Sequence, residues 1–306
     1  MCFKCYECNS EFEALKSLHA HVKKHNMLLG DYYVKNYSRK NKLTGELLPF
    51  KNYAEYFEKD FFNYEQLLKW CEVSSPEVVS EYILSLLKNR ITKKQLKYGP
   101  SSIELYSANL PPVNLYKKHF GSYSAACEQC GVKPMFSDSI TRRFHNDFSS
   151  VKIFVDTREQ KPLEFKNSEK LKLDTGDYAV SGDDYKYCYV DRKSIEDLAG
   201  TLSSGNARFR KELERCRSAG CFLFIVIEEN LYKLETLTIF KRRQINLQFI
   251  LHALRDIQQE YGDCCQFIFS GSRKRSEFLI PKLLVLGDKM KNVDVQYYLN
   301  AGLLDY

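Results

Sequence analysis

The sequence lacks the features of secreted and membrane proteins. No stretch of its 306 residues approaches the roughly 18 consecutive apolar residues that a membrane-spanning helix requires. The N-terminus is rich in cysteine and charge, and it lacks the apolar core of a secretory signal peptide. The 11 cysteines are an odd number, which does not suit a complete disulfide framework. We therefore expect an intracellular, reducing compartment (the nucleus of a eukaryotic cell, or the cytoplasm where the source is bacterial or phage), with cysteines as metal ligands or core residues.

The sequence also lacks a strong charge bias. Lys and Arg together number 46 and Asp and Glu 39, which gives a formal net charge of +7. This mild excess favours a polyanionic partner such as nucleic acid, although many unrelated proteins share it. Apolar residues make up 44% of the chain, which is enough for a packed core and excludes wholesale disorder.

Hydropathy patterning divides the chain into five predicted segments. They are a Cys/His unit (1–28), a mostly helical region that is a candidate for DNA binding (29–135), a polar linker (136–150), an α/β domain (151–290) and a tail (291–306). In the fourth segment, β-rich runs at 151–155, 187–190, 222–227 and 265–269 are interleaved with helical stretches at 207–218 and 246–261. This alternation predicts an α/β domain with a mixed sheet flanked by helices.

The first segment has the ligand spacing of a two-Cys, two-His zinc finger. Cys5 and Cys8 are separated by two residues, and His21 and His25 by three, with twelve residues between the pairs. A β-hairpin supplies the two thiolates, and a following helix brings the two imidazoles to one face, which completes a tetrahedron around zinc. The sequence therefore predicts a ββα finger with a structural zinc ion.

The remaining residues of the finger indicate its core and its exposed face. Phe12 and Leu18 occupy the core positions, and His19, which is outside the ligand set, is expected to face solvent. The helix positions that read bases in DNA-binding fingers are taken here by small residues, Ala14, Ser17 and Ala20. Lysines suited to phosphate contact lie among and after them: Lys16, Lys23 and Lys24. We expect contact with the DNA backbone, with a structural or docking role as the alternative.

The middle region carries a weaker pattern. It comprises Lys97–Ser101, Leu110–Pro112, Phe120–Tyr123 and Cys130–Val132. These residues resemble the short helical repeats that accompany phage-type and homing endonucleases. The resemblance implies small helical modules that grip DNA, and a helical spacer is the alternative.

The α/β domain contains an acid, a gap of 13 residues, and then acid-x-lysine. These residues are Asp177, Asp191 and Lys193. Because residues two apart on a strand point to one face, Asp191 and Lys193 lie together, and a paired strand would bring Asp177 beside them. Two carboxylates and one ammonium suit phosphodiester hydrolysis assisted by Mg²⁺ or Mn²⁺, as in restriction-endonuclease-like folds. Surface ion pairing along an edge strand is the alternative.

A wider set of motifs surrounds that pattern. The runs are Val155–Glu159, Gly176–Tyr178, Val190–Ser194, Asp197–Leu198 and Asn206–Phe209. They resemble the nuclease domain of the XPF family of structure-specific endonucleases, whose central motif is Gly-Asp, a gap, Glu-Arg-Lys, three residues and Asp. The resemblance implies a metal-dependent DNA endonuclease that cuts flaps, forks or junctions and that pairs with a second subunit, identical or different, through this domain.

The resemblance also implies roles for individual residues. Asp156, Asp177 and Asp191 would bind Mg²⁺ or Mn²⁺, and Lys193 would be the catalytic lysine. Further residues would shape the site or contact DNA phosphates: Arg158, Glu159, Arg192, Asp197 and Arg208.

Two departures from the family pattern leave alternatives open. Asp191 stands where the family usually has glutamate, and no helix-hairpin-helix module follows the α/β domain. The first expectation is a structure-specific endonuclease of repair, recombination or replication. The alternatives are a phage or mobile-element endonuclease with a target preference, and a non-catalytic DNA-binding subunit.

Overall fold

The computed structural model describes residues 2–51, 55, 56, 61, 64–238, 240 and 245–304. The chain forms two compact units, Met1–Tyr82 and Ile83–Tyr306, and the boundary lies within one long helix. The predicted five-segment division stays a prediction. Among the described residues, no helix combines the length and apolar character needed to cross a membrane.

Both units contain helices and short strands. The helices are α1 (Leu15–Val22), α2 (Leu29–Asn36), α3 (Tyr64–Val73), α4 (Pro76–Lys94), α5 (Ser102–Ser107), α6 (Val113–Phe120), α7 (Tyr123–Gln129), α8 (Ile195–Leu202), α9 (Asn206–Ser218), α10 (Leu247–Tyr261), α11 (Arg273–Leu286) and α12 (Val295–Asn300). The strands are β1 (Phe3–Lys4), β2 (Glu11–Phe12), β3 (Tyr98–Gly99), β4 (Lys133–Pro134), β5 (Ile153–Asp156), β6 (Ser168–Leu171), β7 (Tyr178–Val180), β8 (Cys188–Lys193), β9 (Phe222–Ile227) and β10 (Cys265–Phe269).

The first unit begins with the predicted ββα finger. Strands β1 and β2 form an antiparallel hairpin in which Phe3 pairs with Phe12, and helix α1 follows. Leu18 is buried as expected, and its core is shared with Tyr32 of α2 and with Leu48. The finger is therefore packed against the helix and loop that follow it in sequence.

The second unit is built on a six-stranded mixed sheet in the order β10-β9-β8-β7-β5-β6. Strands β8, β9 and β10 are parallel, β7 is antiparallel to both of its neighbours, and β5 is parallel to β6. The predicted mixed α/β fold is confirmed. Strand β6 was not predicted from the sequence, whereas β7 begins directly after Asp177 and corresponds to the strand expected to pair beside Asp191.

Strand β9 divides the hydrophobic core into two layers. All six of its residues are buried, and alternate side chains point to opposite faces of the sheet. Leu223, Ile225 and Ile227 pack with helices α8, α9 and α10, whereas Phe222 and Phe224 pack with α11. We call these two sides of the sheet the α9 face and the α11 face.

The helical segment at 98–134 and the segment predicted as a linker both pack within the second unit. The backbone N–H of Ser102 donates to Asp294 at 2.9 Å, and Gln259 donates to Glu104 at 3.0 Å. Phe144 is buried in the core, and the Nζ of Lys282 donates to its carbonyl at 2.7 Å. These contacts fix both segments to the helices around the sheet.

Candidate functional site

Three aspartates meet at one edge of the sheet because of the strand register. Val155 pairs with Tyr178 and Tyr178 pairs with Val190, so the next position aligns Asp156, Asp177 and Asp191. Hydrogen bonds of 2.8 Å from Asp156 N to Asp177 O and from Asp177 N to Val190 O continue this pairing. Residues directly opposite in a sheet point to the same face, which here is the α9 face.

Asp191 and Lys193 form an ion pair within the site. Their side chains share a face because they are two residues apart on β8, and the Lys193 Nζ lies 2.8 Å from an Asp191 oxygen. The same Nζ lies 5.6 Å from the centre of the Phe209 ring on α9. Burial opposes the charge on Lys193, but the neighbouring Asp191 and Asp177 outweigh it and raise the pKa of the lysine. Lys193 is therefore held as a cation.

Asp177 lies opposite Asp191, and one of its carboxylate oxygens accepts a hydrogen bond from the protein backbone. Its Oδ2 accepts a hydrogen bond from the backbone N–H of Arg192 at 2.8 Å. Burial, and then the charge of Asp191, raise the pKa of Asp177 to about 8. Two carboxylates that are forced together and partly desolvated suit a divalent cation, whose charge would relieve their repulsion.

Asp156 has different surroundings although it belongs to the same row. One oxygen accepts from the backbone N–H and the Nε of Arg158, both at 2.7 Å, and the other from Arg158 Nη2 at 3.0 Å and Leu173 N at 2.7 Å. The Arg158 side chain lowers the pKa of Asp156 to about 2. Both oxygens are thus engaged by the protein, and the predicted metal-binding role of Asp156 stays a prediction.

Arg192 points to the α11 face, away from the aspartates. Its guanidinium lies 3.0 Å from Glu159 and 2.9 Å from Glu228, and only 11% of its side chain is exposed. The two carboxylates accept hydrogen bonds from Nη1 and Nη2 of Arg192, the groups that would contact a DNA phosphate in the predicted role. That contact stays a prediction.

The other predicted site residues lie around this edge. The side chain of Arg158 is 65% exposed, and Arg208 is exposed at the start of α9. Asp197 lies in the first turn of α8, where Ser194 Oγ donates to its carboxylate at 2.8 Å. This Ser-x-x-Asp arrangement caps the helix, and the predicted site role of Asp197 stays a prediction.

Two acidic residues near the site were not identified from the sequence. Glu212 lies one helical turn after Phe209 on α9, partly buried, and burial and the charge of Asp191 raise its pKa. Glu228 follows β9 directly and binds Arg192. The available signal was the spacing of Glu212 from Phe209, which puts both on one helix face.

The finger brings its four predicted ligands together. One ligand atom from each of Cys5, Cys8, His21 and His25 lies within 4.8 Å of all the others, and among the described residues this is the one such group of three or more. Cys8 Sγ is 3.0 Å from His21 Nε2, and hydrogen bonding with Ser10 lowers the pKa of Cys8 to about 6. This group can hold a metal ion.

One prediction for the finger is wrong. His19 does not simply face solvent, because its Nε2 lies 2.9 Å from the hydroxyl of Tyr33 on α2 and its ring contacts the Tyr33 ring. The lysines proposed for phosphate contact, Lys16, Lys23 and Lys24, are exposed.

Comparison with known proteins agrees with the motifs. Residues 155–283 match the family model of the ERCC4 domain, which confirms the predicted resemblance for this part of the chain. No curated protein sequence matches the chain. The resemblance of the middle region to endonuclease-associated repeats stays a prediction.

The solved structures similar to the chain include two of an XPF protein. XPF from Aeropyrum pernix in complex with DNA is 21% identical over 45% of this chain, with a TM-score of 0.35. XPF from Aeropyrum pernix is 22% identical over 44% of this chain, with a TM-score of 0.34. In both comparisons the matched region spans 66% of the solved chain, just under two thirds.

Proposed function

We propose that the protein is a DNA endonuclease that uses Mg²⁺ or Mn²⁺ to hydrolyse phosphodiester bonds. The observation that carries this proposal is the alignment of Asp177 and Asp191 on adjacent strands, with Lys193 held 2.8 Å from Asp191. The ERCC4 domain match over residues 155–283 supports the same reaction class.

The two aspartates and the lysine would have different roles in hydrolysis. Asp177 and Asp191 would hold the cation, which when bound supplies Lewis-acid charge and an activated water. Lys193 provides a fixed positive charge beside them, suited to binding a phosphate oxygen as negative charge develops on it. The Phe209 ring and the buried α9 face limit the access of bulk water to that ammonium, which strengthens its attraction for phosphate.

DNA would be bound by basic groups outside the carboxylate row. Arg158 and Arg208 are exposed near the site, and the finger, for which zinc is the proposed ion, offers three exposed lysines. Flaps, forks or junctions are the proposed substrates in repair, recombination or replication, on the basis of the motif resemblance. A paired subunit and a reducing compartment belong to the same proposal.

A cleavage assay tests the proposal. The purified full chain is given Mg²⁺ or Mn²⁺ with fork, flap, linear duplex and single-stranded DNA. We expect cutting of branched DNA that Asp177→Ala and Lys193→Ala each reduce by at least about 10²-fold. Cutting of one duplex sequence alone would indicate an endonuclease with a target preference, and binding without cutting would indicate a non-catalytic subunit.

A further inference from the structure

A chain of alternating charges lies behind the catalytic edge. On the α11 face, Glu159 contacts Arg192 at 3.0 Å, Arg192 contacts Glu228 at 2.9 Å, and Glu228 lies 3.5 Å from Arg273. Three of the four members are largely buried, because 8% of the Glu159 side chain, 11% of Arg192 and 17% of Glu228 are exposed. Charges buried to this degree need partners, so the members of the chain depend on one another.

The chain of charges joins residues at the carboxyl ends of three strands near the site. Arg192 belongs to β8, Glu228 follows β9, and Glu159 lies in the loop after β5. Arg273, in the first turn of α11, also donates to the carbonyl of Lys161 at 3.1 Å, in the loop that carries Glu159. The chain of charges thus connects the carboxyl ends of β5, β8 and β9 at one end of the sheet, in which β7 lies between β5 and β8.

Arg192 links the charge chain to the proposed reaction. It lies between Asp191 and Lys193 in sequence, but its side chain points to the opposite face of the sheet. Its backbone N–H donates to Asp177 at 2.8 Å. A shift of the Arg192 side chain would move the strand that carries both Asp191 and Lys193 and would alter the hydrogen bond to Asp177.

Glu228 is the member that contacts both arginines. Its Oε2 takes the hydrogen bond from Arg192, whereas its Oε1, although buried, accepts no hydrogen bond among the described residues. The pairing of Oε1 with Arg273 therefore depends on charge at 3.5 Å and needs the full carboxylate. Glutamine at this position would keep the shape but lose that attraction.

We propose that Glu228 is a positioning residue for phosphodiester hydrolysis, acting through Arg192 on the placement of Asp177, Asp191 and Lys193. The proposal rests on the function proposed above. It gives the α11 face of the sheet a part in a reaction that takes place on the α9 face.

The test compares Glu228→Gln with the matched control Glu229→Gln. Glu229 is the adjacent carboxylate, and its Oε1 accepts from Asn230 N, a bond that glutamine can keep. In single-turnover cleavage of fork DNA, we expect Glu228→Gln to lower the maximal cleavage rate by about 10- to 100-fold, with little change in the enzyme concentration that gives half of that rate. Isothermal titration should show weaker Mn²⁺ binding in the same variant, and Glu228→Asp should recover part of both losses.

Each outcome bears on a different claim. If the wild-type chain neither cuts DNA nor binds Mn²⁺ in addition to the finger metal, the proposed function fails and this inference fails with it. If the wild type does both and Glu228→Gln behaves like Glu229→Gln, the inference alone fails. A loss of cleavage that matches the fraction of unfolded protein, with unchanged Mn²⁺ affinity of the folded protein, shows a merely structural role and also overturns it.

Discussion

Asp156 and Asp177 show how two aligned aspartates acquire different properties. Asp156 is surrounded by four donor contacts from Arg158 and Leu173, which lower its pKa to about 2. Asp177 accepts one backbone hydrogen bond and lies opposite Asp191, and its pKa is raised to about 8. The first is stable as an anion within the fold, whereas the second gains from a proton or a cation.

The raised pKa of Asp177 predicts a stability that depends on pH. Because the folded pKa lies above the ordinary value of 3.8, the folded state keeps a proton that the unfolded chain releases. Without Mg²⁺ or Mn²⁺, stability is highest below about pH 4 for this group and falls as the pH rises to about 8. Asp177→Asn should abolish this fall, so at pH 8 the variant should unfold a few degrees above the wild type.

Thermal unfolding of both proteins from pH 4 to pH 9 checks this prediction. Asp174→Asn, an exposed aspartate three residues earlier, is the control and should follow the wild type. If Asp177→Asn is less stable than the wild type at pH 8, the raised pKa is refuted.

The partly buried Glu212 supports a second prediction about a single residue. Its charge contributes to raising the pKa of Lys193, so Glu212→Gln should move the alkaline limit of the cleavage rate to lower pH. The maximal rate should fall by up to about 100-fold if the lysine also shifts. Glu214→Gln is the control, because that side chain lies on the same helix but is 52% exposed. Identical pH profiles for the two variants would contradict the assigned role of Glu212.

The site was only partly predictable from the sequence at the residue scale. The spacing of Asp177, Asp191 and Lys193 identified groups that the strand register does bring together. The hydrogen bond from Leu173 N to Asp156 and the bond between Arg192 and Glu228 join residues 17 and 36 positions apart, so no local pattern indicates them. The geometry of those contacts exists only in the folded chain.

Individual elements differ in how clearly the sequence indicates them. Strand β9 is a run of six apolar residues buried on both faces, and the structure has it at the predicted bounds. Strand β6 is exposed throughout and has one apolar residue, Leu171, and β7 has three residues, so neither shows a hydrophobic period. Both are held in place by their pairing with β5.

The turn that leads into β7 and places Asp177 requires a glycine at position 176. Gly176 has a φ of +67°, and a Cβ there would lie 2.8 Å from the carbonyl oxygen of Val190, the acceptor for Asp177 N. Gly176→Ala should therefore destabilise the protein by about 1–3 kcal/mol and reduce cleavage, because the turn into β7 must shift.

Gly182→Ala is the matched control for that substitution. Gly182 also has a positive φ, +72°, but a Cβ there meets nothing within 4 Å. Chemical denaturation and cleavage of both variants separate the cost of the backbone conformation from the cost of the close contact. Equal losses in the two variants would show that the approach to Val190 is unimportant.

The whole molecule combines two units of different construction. The second unit has a two-layered core around its sheet, whereas the first has a small core in which Leu18 of the finger packs with Tyr32. The finger and the α/β domain were both indicated by spacing and periodicity. The docking of 98–134 onto the helices around the sheet was not, because it depends on pairs such as Ser102–Asp294.

Loss of the metal ion should affect both the fold and the DNA binding of the finger. Cys8→Ala should abolish metal binding by the first unit, loosen the core around Leu18 and Tyr32, and weaken DNA binding through the lysines of α1 and the turn that follows. Metal content by mass spectrometry and DNA affinity by fluorescence anisotropy measure both effects. Cys2→Ala is the control, since that exposed cysteine lies outside the ligand group. Unchanged metal content in Cys8→Ala would contradict the assignment.

The central claim is that Asp177 and Asp191 together hold a divalent cation, and calorimetric titration of the full chain with Mn²⁺ tests it most directly. With the finger already loaded with metal, the account predicts Mn²⁺ binding by the wild type that Asp177→Asn and Asp191→Asn each abolish. The contradicting result is Mn²⁺ affinity that is unchanged in both variants.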